Sequence, residues 1–301
     1  MAGSTPGSGT NSPRPDESPR LATVLHRFVC RKPLGVLGGL IVLGMLVLAI
    51  SAPWIAPYSP EEFIEGGSAR LRPPSLRFPM GTDNLGRDIL SRVIHGARLS
   101  MLVGFVSTFF GTGIGAVIAL FTAYVGGKWD LMAQRFMDVL WSFPSLIIAI
   151  VVIAVLGRST TNLIIAIAIV VIPSAARVVR SAVLAVKETE YVQAARAAGA
   201  NQRRIVFRHI AANCLAPYLI IATASLGSAI ITEASLSFLG LGVPPPAPSW
   251  GRDLFGSAQK FAELAPWMPI MPGIAISLTV YGFNLFGDAI RDILDPRLRG
   301  R

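Results

Sequence analysis

The stretch Glu190-Tyr191-Val192-Gln193-Ala194-Ala195-Arg196-Ala197-Ala198-Gly199-Ala200 decides how this chain is read. It is polar and lies between two long apolar runs, 162–183 and 214–238. Tyr191, Ala194, Ala195 and Ala198 fall at i, i+3, i+4 and i+7, so they share one stripe of a helix. Alanine lets another surface come close to the backbone. Gly199 suits the left-handed conformation that ends a helix, and Asn201 is placed to cap a second, basic helix carrying Arg203, Arg204, Arg208 and His209. A small-residue helix and turn in a loop between membrane spans has the form of a docking surface. The plain alternative is an ordinary surface helix.

The composition around this stretch is that of a membrane protein. Of the 301 residues, 52% are hydrophobic and only 15% charged, and the mean hydropathy is +0.57. Soluble domains carry about 25% charge. Spanning the hydrocarbon core takes about 20 helical residues, and six segments qualify: 34–55, 100–124, 134–157, 162–183, 214–238 and 268–289. The fourth carries Arg177 and Arg180 in its last turns, where they can snorkel to the headgroups. The expected fold class is therefore all-α, a polytopic membrane protein with six transmembrane helices. The net charge of +10 does not argue for nucleic acid, because the basic residues cluster around apolar segments.

Lys and Arg counts orient the chain. With the N-terminus inside, 18 of the 27 lie on the inner side and nine on the outer. Both termini are then cytoplasmic, and so is the 184–213 loop. Six of the outer nine fall in one loop, 56–99, an exception to the rule. The expected organisation is a disordered cytoplasmic tail over 1–25, a first transmembrane helix and external loop over 26–99, and a core over 100–301. Thr82 or Asp83 is expected to cap a helix running through Ile89, Val93 and Ile94 into the second span. A second external segment, 239–267, opens with a stiff Pro244-Pro245-Pro246-Ala247-Pro248 run.

Other features say what the chain does not do. His26, His95 and His209 are scattered and make no metal set. Cys30 and Cys214 are isolated thiols read as packing residues. None of the four lysines sits in a G-x-x-x-x-G-K-[ST] loop, so the chain cannot cradle ATP phosphates that way. No nucleophile–base arrangement points to an enzyme. Two carboxylates lie at membrane depth, where charge faces a cavity or a partner. Glu233 is a candidate contact for a translocation path or for a neighbouring helix; Asp138 is read as structural. Pro144 and Pro173 can kink the third and fourth spans, and Gly111-x-x-x-Gly115 is a weak close-packing signal.

Residues 190–217 resemble the cytoplasmic "EAA" loop of ABC-importer permeases, with Ala194-Ala195, Gly199 and Leu215-Ala216-Pro217 in the expected places. Gln193 stands where the family usually has the Glu of the motif, so a salt bridge is not expected there. Gly81-Thr82-Asp83-Asn84-Leu85-Gly86-Arg87-Asp88, Glu233 to Gly242 and Asp288 to Arg297 resemble the dipeptide/oligopeptide/nickel permeases, C-type subunit. The resemblance implies the type I ABC-importer permease fold and import of peptides. It makes Glu190, Tyr191, Gln193, Ala194, Ala195, Ala198 and Gly199 part of a coupling helix that docks on an ATPase. Implied partners are a second permease, two cytoplasmic ATPases that bind the ATP and Mg, and an external solute-binding (lipo)protein. No cofactor is expected on this chain. Nickel, a short sugar or a haem-like ligand remains an alternative cargo, and a channel or secondary transporter an alternative class.

Overall fold

The computed structural model describes residues 33–294. The expected tail over 1–25, and Cys30, lie outside them. Among the described residues there is no strand, only one isolated bridge between Thr82 and Asp88. The helices are α1 (Pro33–Ile55), α2 (Ile89–Val125), α3 (Gly127–Ser142), α4 (Ser145–Leu156), α5 (Thr160–Lys187), α6 (Glu190–Ala197), α7 (Gln202–Arg204), α8 (Ala211–Phe238), α9 (Trp250–Phe261) and α10 (Trp267–Leu294). A wide π-helical segment, Ile205–Ile210, joins α7 to α8.

Five stretches are long and apolar enough to cross a membrane alone, and the α3–α4 pair adds a sixth if counted as one. The single third span expected over 134–157 is not a single helix. The chain bends by 93° between α3 and α4. The cause is local: Phe143 precedes a proline, which disfavours helical geometry, and it adopts φ −96°, ψ 144°. Pro173, by contrast, stays inside a continuous α5.

Contacts show that the bent pair does cross. Lys187 Nζ, at the end of α5, donates to Tyr124 O at 2.9 Å, at the end of α2. Gly111 of α2 abuts Ala168, and Gly115 abuts Ile172. Thus α2 and α5 run parallel, and the chain must return across the molecule through α3 and α4. A Cβ at Gly115 would sit 2.6 Å from Ile172 O, so this pair of helices is packed backbone to backbone, more closely than the weak glycine signal promised. On the other side, Gly38 of α1 lies against Gly282 and Phe286 of α10, so these two are antiparallel. Residues 33 and 294 therefore end on the same face as α6.

The second crossing is continuous with the helix expected through Ile89, Val93 and Ile94. Helix α2 starts at Ile89 and is 37 residues long. Its cap is Asp88, whose Oδ2 accepts from Ser91 N at 2.8 Å. The expected caps are used elsewhere. Thr82 Oγ1 donates to Ala69 O at 2.5 Å, and Asp83 takes Leu85 N, Arg87 N and Arg87 Nε. With Ile64, Ala69 and Phe78 buried beneath it, this segment forms a small folded cap on the end opposite α6. In it, the hydrogen bond from Arg77 to Glu65 holds the Glu65 carboxyl below the usual carboxylate range.

Helix α9 joins that cap. Arg92 of α2 forms a two-bonded ion pair with Asp253, at 3.1 and 2.6 Å, and donates to Pro60 O at 2.9 Å. Trp250 is fully buried against Gly96, with its Nε1 on Val93 O at 2.8 Å.

Candidate docking surface

Helix α6 stands on the end where α2, α5 and the described chain ends finish. It is only eight residues long, too short to be stable in isolation, so something must hold it. That anchor is Val192, which is completely buried with Ile205, Ile210, Val183 and Met137. Sequence reading passed over it while following the alanine stripe. It is the one large aliphatic side chain between Glu190 and Ala200, which was the available signal.

The remaining positions face outward. Glu190, Gln193, Ala194 and Ala198 are exposed, Ala195 is half-buried, and Tyr191 is 45% exposed. The Tyr191 hydroxyl accepts from Asn213 Nδ2 at 2.9 Å, while the same amide donates to His209 O at 2.6 Å. A link therefore runs from α6 across the π-helical segment to α8. Gly199 takes φ +78°, the left-handed turn expected of it, and Asn201 caps α7 by accepting from Arg203 N. Gln193 donates to Glu188 O at 3.2 Å; an amide does this and a carboxylate cannot. The surface that results is small-residued at Ala194, Ala195 and Ala198, is flanked by exposed Glu190 and Arg196, and is held to the bundle by the buried Val192 and the Tyr191–Asn213 bond.

The two membrane-depth carboxylates part ways. Glu233 is fully buried inside the chain. Its carboxylate accepts from Ser100 Oγ at 2.9 Å, Ser237 Oγ at 2.8 Å and Ser249 Oγ at 3.3 Å. It ties α2 and α8 to the start of α9, and no part of it reaches a surface that a passing solute would touch. Of the two roles offered for Glu233, the geometry is that of the contact between neighbouring helices. Three separated serines converge on it, which no local sequence pattern announces. Asp138 is half-exposed and paired with Arg177 at 3.0 Å. Among the described residues, no group of His, Cys, Asp and Glu could hold a metal ion.

Residues 111–300 match the family model described as the binding-protein-dependent transport system inner membrane component. The chain belongs to this family of transport permeases. Residues 20–74 of the permease match a second model, the N-terminal transmembrane domain of oligopeptide transport permease C. The permease is 42% identical over 277 residues to a di/tripeptide transport system permease protein, DppC, of Pseudomonas aeruginosa, covering 88% of this chain and 89% of the relative. It is equally similar to a dipeptide transport permease of Alkalihalophilus pseudofirmus, over 89% of this chain and 88% of that one. A glutathione transport system permease, GsiD, of Escherichia coli is also 42% identical, over 90% of this chain and 88% of that one. The fold is that of the membrane subunit in inward-facing structures of the MetNI methionine ABC transporter, with a TM-score of 0.57, 20% identity, and coverage of 68% of this chain and 96% of that one. The permease is accordingly a multi-pass inner-membrane transport component of the ABC-importer type.

Proposed function

We propose that this permease is one membrane half of an ATP-driven importer of short peptides. The observation that carries the reading is α6: an exposed small-residue helix, held by Val192, on the face where the described chain ends lie. That is the geometry of a surface that receives force from a separate protein. The excess of Lys and Arg on this side makes it the cytoplasmic one, so both termini are inside. The docking residues are Glu190, Tyr191, Gln193, Ala194, Ala195, Ala198 and Gly199. The partners are two ATPases, which bind ATP and Mg, a second permease and an external binding (lipo)protein. This chain itself carries no cofactor. Peptide cargo is supported by the three relatives, whose names give di/tripeptide, dipeptide and glutathione, all short peptides.

Purification of the tagged permease from its native membrane tests the assembly. A second permease, two Walker-motif ATPases and a binding protein are expected to be retained; recovery of the chain alone removes the reading. Ala195→Trp tests the surface. It places a large ring where a partner must approach, so ATP hydrolysis is expected to lose its dependence on substrate while membrane levels stay normal. Unchanged substrate-stimulated transport by that variant would discard α6 as the dock.

A further inference from the structure

The break between α3 and α4 leaves an open face. Residues 141–145 are all exposed, and they border a groove of about 470 Å³ against Pro173 and Ser174 of α5. Pro173 is the fourteenth of the 28 residues of α5, so the groove lies near the middle of the crossing. This position is physically awkward for a lipid-facing surface. The helix ends at the break leave backbone groups outside the regular ladder. Ile147 N and Ile148 N reach back to Pro144 O and Val139 O takes the Ser142 hydroxyl, while the amides of Ser145 and Leu146 precede the first such bond. At membrane depth, irregular backbone is tolerated only where it is buried in protein or lines a water-filled cavity, and here it is not buried in its own chain.

The side chains agree with the backbone. Ser142 and Ser174 hydroxyls donate to Val139 O and Val171 O, which leaves both oxygens able to accept. Ser145 is exposed beside them. Trp141 lines the groove, and the Arg177 guanidinium lies over its ring at 4.2 Å. Arg177 and Asp138, 48% and 52% exposed, place a cation and an anion together at the groove's edge. A half-exposed ion pair cannot face hydrocarbon cheaply.

We propose that the groove at the α3–α4 break is a wall of the translocation path and takes the transported peptide. An extended peptide is an array of amide donors and acceptors with a charge of each sign at its ends. The groove offers the amides at the start of α4, three hydroxyls and an aromatic face, with the Arg177–Asp138 pair just beyond Trp141, and its volume lies within the ~300–1,000 Å³ range of small-ligand sites. This inference rests on the reading of the chain as a peptide permease. It makes Ser142, Ser145 and Ser174 path-lining and leaves Glu233 inside the scaffold.

The test uses the assembled transporter in proteoliposomes, with Cys30 and Cys214 replaced by Ser and Ala. Ser142→Cys and Ser145→Cys are near-isosteric and are compared with Leu43→Cys, on the exposed apolar side of α1. A membrane-impermeant methanethiosulfonate is expected to modify both groove cysteines at least tenfold faster than Leu43→Cys. Binding protein loaded with trialanine is expected to slow that modification severalfold. Rates no faster than Leu43→Cys, no slowing by the loaded binding protein, or disulfide capture of the second permease at these positions would each overturn the inference. Uptake of labelled trialanine by the unmodified transporter is read separately. If uptake holds while the groove cysteines behave as in any of those outcomes, only the groove assignment fails; if uptake is absent, the peptide reading fails first.

Discussion

At the scale of single residues, the proposed docking surface depends less on what it displays than on what it hides. Alanines at 194, 195 and 198 offer little energy of their own; Val192 decides whether they are presented at all. Truncating it removes two buried methyl groups from a cluster that includes Ile205 and Ile210, at a cost of about 2 kcal/mol. For an eight-residue helix that is enough to loosen its seat. Val192→Ala is expected to insert and assemble normally, yet to lower the substrate-stimulated fraction of ATP hydrolysis; a hydrolysis assay in proteoliposomes checks this. Gly199 and Asn201 were legible from sequence, because a left-handed turn and a cap each have a residue signature. Val192 was not weighed, because a lone apolar residue in a polar stretch looks like noise until its burial is seen. The clasp of three serines on Glu233 was illegible for a different reason: Ser100 is 133 residues away, and local patterns carry no information at that distance.

At the scale of elements, helix pairs are set by glycine contacts. Gly115→Leu would push a side chain into the α5 backbone, where Ile172 O already lies 2.6 Å from the Cβ position. Overpacking of this kind costs about 1–3 kcal/mol, and thermal unfolding in detergent should show a lower midpoint. Gly113→Leu is the matched control, since a Cβ there meets nothing within 4 Å. A clamp between elements invites a second prediction. Asp253→Asn leaves the buried Arg92 guanidinium without its counter-charge, at a cost of about 3 kcal/mol. The double replacement Arg92→Met with Asp253→Leu should recover most of that loss in the same unfolding assay, because apolar packing replaces the charge pair. Spans were legible here from length and apolarity, and the existence of all six crossings was correctly read. Their shapes were legible in part. Pro144 marked a kink and a helix was expected through Ile89 into the second span, but the 93° size of the bend, the continuity of α5 through Pro173 and the choice of Asp88 as cap were not. Hydropathy averages cannot resolve these.

At the scale of the whole molecule, topology is the firmest consequence. Antiparallel α1 and α10, parallel α2 and α5, and the returning α3–α4 pair bring residues 33 and 294 to the α6 face. Fluorescent-protein fusions at either terminus should therefore be bright in the cytoplasm. A reporter inserted within 244–248 should report the outside, and opposite signals from the two termini would contradict the crossing pattern. The sequence reading also put both chain ends on the side of the 184–213 loop, from charge counts, despite the six basic residues of the 56–99 segment. The structure explains part of that exception: Arg72 and Arg77 pair with Glu65, Arg87 with Asp83, and Arg92 with Asp253. Charges neutralised within a folded cap do little to hold a segment on one side of a membrane.

The length of α2 has a mechanical consequence. Its 37 residues make a rod of about 55 Å, whereas the hydrocarbon core is only about 30 Å thick. The rod is uninterrupted by proline, and its far end is bolted to the cap through Arg92 and Trp250. A tilt of about 10° about its α6 end would swing the tip at the cap by roughly 10 Å, given the length set by the helical rise. Leverage of this kind needs no hinge between the two faces: a small rotation at the α6 end becomes a large displacement at the cap.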